Sequence, residues 1–292
     1  MTVYVIGGIN QDIVASSDSH PRAGETLTGS DLNYYPGGKG ANQAIAAARA
    51  GADVAMIGCT GKDAAGRDLR EYLAGAGVDV SRVAENDQYP TGTALIVVAG
   101  GENSIIVVLG ANEHVGPENI EGIAFASGDL LVAQLETPVE TTRVAFERAR
   151  NAGARTLLNP SPVAPVSPGL LAQIDYLIVN EHEFEMIFDK PLAPVLSNEA
   201  GKPDIFDGTL VITLGSEGVL TLAGDERFVQ SGREVQVVDS TGAGDCFAGY
   251  LAAALHEGQE LEPAIALANL AASVSVTQPG AASSIPQREA IG

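Results

Sequence analysis

The chain has 292 residues, of which 45% are hydrophobic, 34 are glycine and none is tryptophan. This length suits one large core with a small appendage, and the glycine content indicates many turns. The formal net charge is −21, from 16 basic and 37 acidic residues, and it argues against a nucleic acid or an anionic membrane as partner. A polyphosphate ligand would have to be held by backbone dipoles, a metal ion and very few cationic side chains.

The cysteines and the N-terminus exclude further classes of protein. Cys59 and Cys246 are too few and too far apart for a disulfide framework or a zinc cluster. The N-terminus shows no signal-peptide pattern, and no apolar run approaches the ~20 residues of a membrane span. We therefore expect a cytoplasmic protein.

The hydrophobic pattern predicts strands that alternate with helices. In chain order, the predicted strands are 3–6, 53–58, 129–135, 154–159, 175–179, 209–214, 217–222 and 235–238. The predicted helices are 41–50, 63–74, 139–151, 243–257 and 261–277. Residues 129–133 are apolar on both faces, which is typical of a parallel sheet covered on both sides by helices. The fold class is therefore α/β, with a mostly parallel central sheet.

Two segments break this alternation. Residues 13–36 show little helical period, and residues 91–109 predict two strands, 93–99 and 104–109, around a turn at 100–103. A hairpin has no place in a series of βα units. We therefore predict a small β lid, formed by about 13–36 and 91–109, over the carboxyl edge of the sheet. Together with this lid, residues 1–292 are expected to form one domain.

The most informative motif is the run DSTGAGDCF at 239–247. It joins a predicted strand to a predicted helix, and Gly242, Ala243 and Gly244 place several unpaired N–H groups at the helix start. Such a start is an anion site. Asp245 is a carboxylate inside that site, which makes it our candidate general base for transfer to a phosphate. The alternative is an ordinary capped turn, because Asp caps helices and glycine-rich βα turns are common.

A second glycine motif, GGKGANQ, covers residues 37–43. Its glycines let the backbone approach a ligand closely, Lys39 offers a cation, and Asn42 can both donate and accept hydrogen bonds. It is not a Walker A loop, because Gly40 stands where that motif needs Ser or Thr. The alternative is a glycine turn before a helix, with a solvated lysine.

The first predicted strand ends in the run GGINQD at 7–12. Asn10 and Asp12 alternate on one side of an extended chain and could bind hydroxyl groups in pairs. The run lacks the dinucleotide-binding fingerprint, which argues against a dehydrogenase. The alternative is a polar strand exit without a ligand.

Other polar residues follow further predicted strands, namely Glu136, Asn180, Glu183 and the run TLGSEG at 213–218. Each one alone is explained as a cap or turn residue. Together they all fall at predicted carboxyl ends of strands, which is the edge where open α/β sheets bind ligands.

These motifs together resemble the ribokinase-like (PfkB) carbohydrate kinases from residue 3 to about residue 286. The resemblance rests on the runs GGINQD, PRAGET, GGKGANQA, LETP, NEHE, TLGS and DSTGAGD. It implies a three-layer α/β/α fold with a β-sheet lid that also forms a homodimer interface. It also implies an ATP-dependent kinase, and the form of the second motif with Lys39 favours phosphorylation of D-ribose at its 5-hydroxyl.

The resemblance also implies roles for individual residues. Asp245 would take the proton of the sugar hydroxyl, beside an anion hole formed by the N–H groups of Ala243, Gly244 and Asp245 in the loop that begins at Gly242. The sugar would be held by Asn10, Asp12, Gly38, Lys39, Asn42, Glu136 and Asp245. The ATP site would be lined by Asn180, Thr213, Gly215, Ser216, Gly218, Gly244 and Asn269, with Glu183 placing Mg²⁺ through water. A monovalent cation, expected to be K⁺, would bind at Asp239, Thr241, Ser275, Gln278, Gly280 and Ser284.

Three questions stay open at the level of sequence. A related kinase for another furanose or a nucleoside fits the same motifs. A sensor that binds nucleotide or sugar without catalysis is the alternative from another class, although the intact Asp245 and Lys39 argue against it. Cys246 follows the candidate base at a helix start, where a thiol pKa tends to fall, so it is either redox-sensitive or simply buried.

Overall fold

The computed structural model describes residues 1–100 and 102–291. Gly101, in the predicted hairpin turn, lies outside the described residues. The strands are β1 (Val3–Ile6), β2 (Asn10–Ser16), β3 (Asp31–Gly37), β4 (Val54–Gly61), β5 (Val78–Asn86), β6 (Gly92–Ala99), β7 (Glu102–Val108), β8 (Leu130–Ala133), β9 (Arg155–Leu158), β10 (Tyr176–Asn180), β11 (Thr209–Thr213), β12 (Gly218–Ala223) and β13 (Glu226–Ser231). The helices are α1 (Lys39–Arg49), α2 (Ala64–Gly75), α3 (Val139–Asn151), α4 (Pro168–Leu171), α5 (Glu181–Phe188), α6 (Ala193–Leu196), α7 (Ala243–His256) and α8 (Leu261–Ser275).

Most strands form one large sheet. Within the described ranges it has nine strands in the order β13-β12-β11-β10-β9-β8-β1-β4-β5. Every neighbouring pair from β11 to β5 is parallel, and β12 pairs antiparallel with both β11 and β13. The parallel strands therefore end at a common edge, as the sequence predicts.

Helices cover both faces of this sheet. Side chains alternate across the strands, so Val3 and Val5 join a core with α1, α7 and α8, whereas Ile6 joins a core with α3 and α5. These two aliphatic cores confirm the predicted α/β/α arrangement. None of the helices in the described part of the chain has the length and apolar character needed to cross a membrane.

The remaining strands form the predicted small sheet. Its order is β3-β2-β6-β7, in which β2 runs parallel to β6 and the other neighbouring pairs are antiparallel. The sheet begins at Asn10, slightly before the predicted start, because β2 continues almost directly from β1. This lid and the large sheet therefore meet beside the residues that end β1.

The predicted strand at 235–238 is wrong. Val235, Val237 and Val238 are 36%, 61% and 59% exposed, and the Val238 N–H donates to the Val276 carbonyl at 2.8 Å instead of joining a sheet. The β-branched residues favour a strand, but the segment bonds to the end of α8 and pairs with no strand among the described residues. The sequence prediction also lacked β5 and β13.

Helices α1 and α7 pack unusually closely, which brings their first turns together. A Cβ atom on Gly249 would lie 2.4 Å from Ala46 Cβ and 2.5 Å from the Gln43 carbonyl oxygen. The small residues on both helices remove the side chains that would otherwise keep the two backbones apart. The glycine motif before α1 and the glycine motif before α7 therefore face one site.

Candidate functional site

The start of α7 has the geometry of an anion site. Gly242 caps the helix with φ 76, and a Cβ atom there would lie 2.8 Å from Ala281 Cβ, so the position requires glycine. Among the described residues, no hydrogen-bond partner occupies the N–H groups of Gly244 and Asp245, whereas the Ala243 N–H donates to a carbonyl of the preceding turn at 3.3 Å. The predicted anion hole of three donors therefore has two free N–H groups and a third that is weakly engaged.

Two amide side chains on α1 hold the carboxylate of Asp245. Asn42 Nδ2 donates to Oδ2 at 3.0 Å, and Gln43 Nε2 donates to Oδ1 at 2.9 Å. Asp245 is only 5% exposed, so this pair fixes the orientation of a buried carboxylate. Sequence reasoning assigned no role to Gln43, although a glutamine within an alanine-rich helix was a signal that it has one.

A buried carboxylate, Glu136, and a partly buried one, Asp12, lie beside Asp245. Burial raises the pKa of Glu136 to about 7, although the backbone N–H and the charge of Lys39 act to lower it. The Lys39 N–H donates to Glu136 Oε2 at 2.7 Å. Burial, with a smaller contribution from the charge of Asp245, raises the pKa of Asp12 to about 6. Three acids therefore share one poorly solvated region, where their negative charges oppose one another.

Asn10 completes this polar wall. Its Oδ1 accepts from Asn112 Nδ2 at 2.8 Å, and its Nδ2 donates to Glu136 Oε1 at 3.5 Å. Sequence reasoning missed Asn112, which follows the lid strands in a short polar run and carries no pattern that points to this contact. Gly38, with φ 92, turns the chain from the lid into α1 and thereby places Lys39 at the site.

A cavity of about 150 Å³ joins the start of α7 to the ends of β10 and β11. Its walls include Lys39, Asn180, Glu183, Thr213 and the loop 242–245. Asn180 and Glu183 form a capping box on α5, in which each side chain accepts from the other residue's N–H at 2.8 and 2.9 Å. The structure therefore brings the predicted base and these predicted phosphate-side residues around one small space.

A second cavity of about 450 Å³ adjoins the first and shares Ala243 with it. Gly215, Ser216 and Asn269 line this cavity, opposite the exposed loop 232–238. The predicted Gly218 lines neither cavity, and a Cβ atom there would lie 2.0 Å from a backbone carbonyl of β13. Its glycine is explained by the close pairing of β12 with β13.

A third cavity, of about 730 Å³, opens between the lid and the loops around α7. Asp12 and Ile105 line its lid side, and Asp239, Thr241 and Gly280 line the other. Because Asp12 reaches this space from β2, the lid supplies part of the polar wall and does not merely cover it.

Asp239 links the α7 loop to the segment after α8. Its Oδ1 accepts from the N–H and the hydroxyl of Thr241 at 2.9 and 2.6 Å, and its Oδ2 accepts from the Gly280 N–H at 2.8 Å. Burial acts to raise the pKa of Asp239, but these hydrogen bonds outweigh it and lower the value. The Ser275 and Ser284 hydroxyls are buried and donate to carbonyls of their own turns at 2.9 and 3.0 Å.

Several carbonyl groups in this region are free to bind a ligand. Within the described part of the chain, no N–H donates to the carbonyl oxygens of Asp239, Thr241, Gln278 or Gly280. The Gln278 N–H itself donates to the Ser275 carbonyl at 3.3 Å. The predicted cation residues therefore lie in two neighbouring segments, the loop before α7 and the end of α8 with the turns after it.

Cys246 follows Asp245 in α7 and is fully buried. Burial raises the pKa of its thiol to about 12, which outweighs the helix-start effect expected from sequence. The thiol is therefore protonated at neutral pH and sits as a small core residue.

A glycine-rich helix start, a buried carboxylate at that start and a polar sheet edge under a lid define an α/β kinase of small molecules. The pfkB family carbohydrate kinase model matches residues 2–288, and the chain belongs to that family. It is 39% identical to the ribokinase of Haemophilus influenzae over 99% of this chain and 96% of that one. It is 37% identical to the ribokinase of Bacillus subtilis, over 99% and 97% of the two chains. The solved structure of Arabidopsis thaliana ribokinase complexed with ribose and ATP has a TM-score of 0.89 and 29% identity, and covers 99% of this chain and 96% of that one.

Proposed function

We propose that this chain transfers the γ-phosphoryl group of ATP to the 5-hydroxyl of D-ribose, giving D-ribose 5-phosphate and ADP. The observation that carries this proposal is the position of the Asp245 carboxylate. It lies between the polar wall with Asn10, Asp12 and Glu136 and the cavity that contains the free N–H groups of α7. The Arabidopsis ribokinase is described as a complex with ribose and ATP, and the likeness to it extends over nearly the whole chain.

In this proposal, Asp245 accepts the proton of the attacking hydroxyl. The N–H groups of Gly244 and Asp245 stabilise the charge on the transferred phosphoryl group, with Ala243 contributing when its weak internal bond opens. Phosphoryl transfer depends chiefly on positioning and on charge stabilisation, and one well-placed donor is typically worth about 2.7–4 kcal/mol. Gly242 is needed for the left-handed turn that frees these donors.

The sugar hydroxyl groups bind to the wall formed by Asn10, Asp12, Gly38, Lys39, Asn42 and Glu136. The Glu136 pKa of about 7 makes this carboxyl able to act as donor or acceptor near neutral pH. The Asn42 Oδ1 atom is buried and has no partner among the described residues, which leaves it free to accept from a hydroxyl group. These residues hold the sugar with its primary hydroxyl facing Asp245.

ATP occupies the two adjoining cavities. Asn180, Thr213 and Gly244 contact the phosphates, and Gly215, Ser216 and Asn269 line the nucleoside end, while Gly218 shapes the strand pair behind them. Few cationic side chains line these walls, so Mg²⁺ is required to neutralise the phosphates. Among the described residues no three His, Cys, Asp or Glu side chains cluster to hold an ion. This fits Mg²⁺, which binds through one or two carboxylates, here Glu183, together with waters and substrate phosphates.

A monovalent cation, K⁺, binds beside the α7 loop. The free carbonyl oxygens of Asp239, Thr241, Gln278 and Gly280 form an oxygen-only donor set of the kind that replaces the hydration shell of K⁺. Ser275 and Ser284 close the same turns. A bound cation would fix the loop that carries the anion site.

The chain works as one domain, and its lid joins two copies into a homodimer. The support is the apolar lid surface, where Leu32, Tyr34, Ile106 and Val108 are each half or more exposed, because exposed apolar patches mark interaction sites. The two cysteines are free, as is usual in the reducing cytoplasm, where we place the enzyme.

A substrate panel tests the proposed function. The purified chain is assayed for ADP release with ATP and Mg²⁺ on ribose, 2-deoxyribose, fructose and adenosine, and the phosphorylated position is identified by NMR. We expect ribose to give the highest kcat/KM and its product to carry phosphate on C5. A higher kcat/KM for another sugar or for adenosine would assign the chain to a related kinase. Binding of ribose and ATP without ADP release would indicate a sensor.

A further inference from the structure

A buried chain of side-chain amides lies behind Asp245 and extends from Gln43 to Gln134 and Asn159. Gln43 and Gln134 are fully buried, and Asn159 is 9% exposed. Gln43 Nε2 donates to Asp245 Oδ1 at 2.9 Å and to Asn159 Oδ1 at 3.1 Å, and Gln43 Oε1 accepts from Gln134 Nε2 at 2.6 Å. Buried amides are costly unless they are hydrogen-bonded, and these three bond to one another, which leaves only Gln134 Oε1 without a partner among the described residues.

The chemistry of the partners fixes which way each amide points. An ionised carboxylate can only accept hydrogen bonds, so Gln43 must turn Nε2 towards Asp245 and Oε1 away from it. Gln134 then has to present its Nε2 to that oxygen. Asn159 Nδ2 donates to the Ile178 carbonyl at 3.2 Å, which leaves Asn159 Oδ1 for the second hydrogen of Gln43 Nε2. The orientation of the whole chain is thereby anchored in the central sheet.

Asn42 and Gln43 serve Asp245 differently. Asn42 donates to one carboxylate oxygen, and its buried Oδ1 atom has no partner in the described part of the chain. Gln43 has both N–H groups and its oxygen occupied by protein and is shielded from the sugar site. Asn42 can therefore bond to both Asp245 and a ligand, whereas Gln43 bonds to Asp245 and to other buried amides only.

We propose that Gln43 is the positioning residue for Asp245, and that Gln134 and Asn159 hold Gln43 in the one orientation that can donate to it. This rests on the proposed function, in which Asp245 is the base. The device aims one oxygen of a rotatable carboxylate at the sugar, because both carboxylate oxygens are then held by fixed donors.

The first test compares Gln43→Met and Gln43→Glu with the wild-type chain. For Gln43→Met we expect kcat to fall about 10- to 100-fold, as for loss of a hydrogen bond to a charged group, with the KM for ribose within twofold of wild type. The acidic limb of the plot of kcat against pH should move to higher pH by about one unit, because a carboxylate that loses a hydrogen bond is easier to protonate. Gln43→Glu places a second carboxyl beside the base, so the limb should move further. Ile45→Val, a buried change on the same helix, should lower stability without moving the limb.

A second variant keeps the proposal testable where Gln43 variants fold poorly. Gln134→Met leaves Gln43 in place but removes the donor that orients it, and should shift the acidic limb in the same direction by a smaller amount. An unchanged pH profile in both Gln43→Met and Gln134→Met would overturn the proposal, even where kcat falls. A raised KM with unchanged kcat would overturn it as well.

A double-mutant cycle on stability decides the inference without any substrate. Unfolding is measured for Gln43→Met, Asp245→Ala and the double variant. We expect a coupling of roughly fivefold or more in the unfolding equilibrium constant, and additive effects would refute the contact. If the wild-type chain fails to phosphorylate ribose, the proposed function fails, and this cycle still reports on Gln43 and Asp245.

Discussion

At the scale of single residues, the candidate site is a group of carboxylates held by amides and glycines. Asp245 is buried and held on both oxygens by Asn42 and Gln43. Glu136 is held by the Lys39 backbone, and its neighbour Asn10 by Asn112. Asp245 and Glu136 are therefore both positioned by neutral donors, which suits a site that must also receive a polyphosphate.

Replacing the proposed base separates binding from chemistry. Asp245→Asn keeps the size of the side chain but cannot accept the hydroxyl proton. We therefore expect kcat to fall by about 10²–10⁴-fold. Ribose and ATP should still bind, as measured by calorimetry. A kcat within tenfold of wild type would exclude Asp245 as the base.

The buried acid Glu136 makes stability depend on pH. Its pKa is raised by burial from 4.5 to about 7, so between these values the folded state binds more protons than the unfolded state. Stability should therefore fall as pH rises through this window and level off above it. Between pH 5 and pH 8 the free energy of unfolding of Glu136→Gln should fall less than that of wild type, by on the order of 2 kcal/mol. Urea unfolding of the ligand-free wild type and variant at both pH values measures this difference. An equal fall in stability in the two proteins would contradict the role of Glu136.

At the scale of secondary-structure elements, the site depends on the close approach of α1 and α7. A Cβ atom on Gly249 would clash with Ala46, so Gly249→Ala should separate the helices. We expect about 1–3 kcal/mol lower stability from overpacking, together with a lower kcat because Asn42 and Gln43 move relative to Asp245. Gly75→Ala is the matched control, because a Cβ atom there meets nothing within 4 Å. Equal effects of the two substitutions on kcat would argue against this account.

The far end of α1 supports the proposed cation loop. Arg49 Nη1 donates to the carbonyls of Ala282 and Ile285 at 2.8 and 2.6 Å, close to the turn of Ser284. Arg49→Met should loosen this turn and raise the K⁺ concentration needed for half-maximal activation by about tenfold, as for loss of charge-assisted hydrogen bonds. Arg288→Met, which loses bonds to Ala50 and Glu257 instead, should leave the K⁺ dependence unchanged. Equal turnover of wild type in Na⁺ and K⁺ would remove the cation proposal itself.

At the scale of the whole molecule, the lid carries half of the large apolar side chains that are exposed in the described residues. In β7 every residue is exposed, although Ile105, Ile106, Val107 and Val108 are all apolar. A second copy would cover this edge strand, which otherwise presents unpaired backbone groups to other chains. The net charge of −21 opposes association elsewhere on the surface.

A single charge on the lid tests this dimer. Ile106 is 65% exposed, and Ile106→Asp should convert the dimer to monomers at micromolar concentration, as seen by sedimentation velocity. Val229→Asp, on the outer strand of the large sheet and 59% exposed in wild type, should leave the dimer intact. A wild-type chain that sediments as a monomer would end the dimer proposal.

The sequence by itself determined the alternation of strands and helices, the separate lid and the edge at which the polar motifs gather. These features are local, because side-chain periodicity and glycine turns act within a few residues. Local pattern failed at Val235–Val238, which have strand-forming side chains but bond to Val276 after α8 instead of pairing with a strand. It also missed β13, which forms the outer strand of the large sheet beside β12.

Only the tertiary structure decided which side chains act together. Gln43 and Asp245 lie 202 positions apart, and Asn10 and Asn112 lie 102 apart, so no spacing along the chain could pair them. The raised pKa values of Asp12 and Glu136 likewise come from burial and neighbouring charge. Burial and proximity are properties of the packed molecule, in which close contact between α1 and α7 turns two glycine motifs into one site.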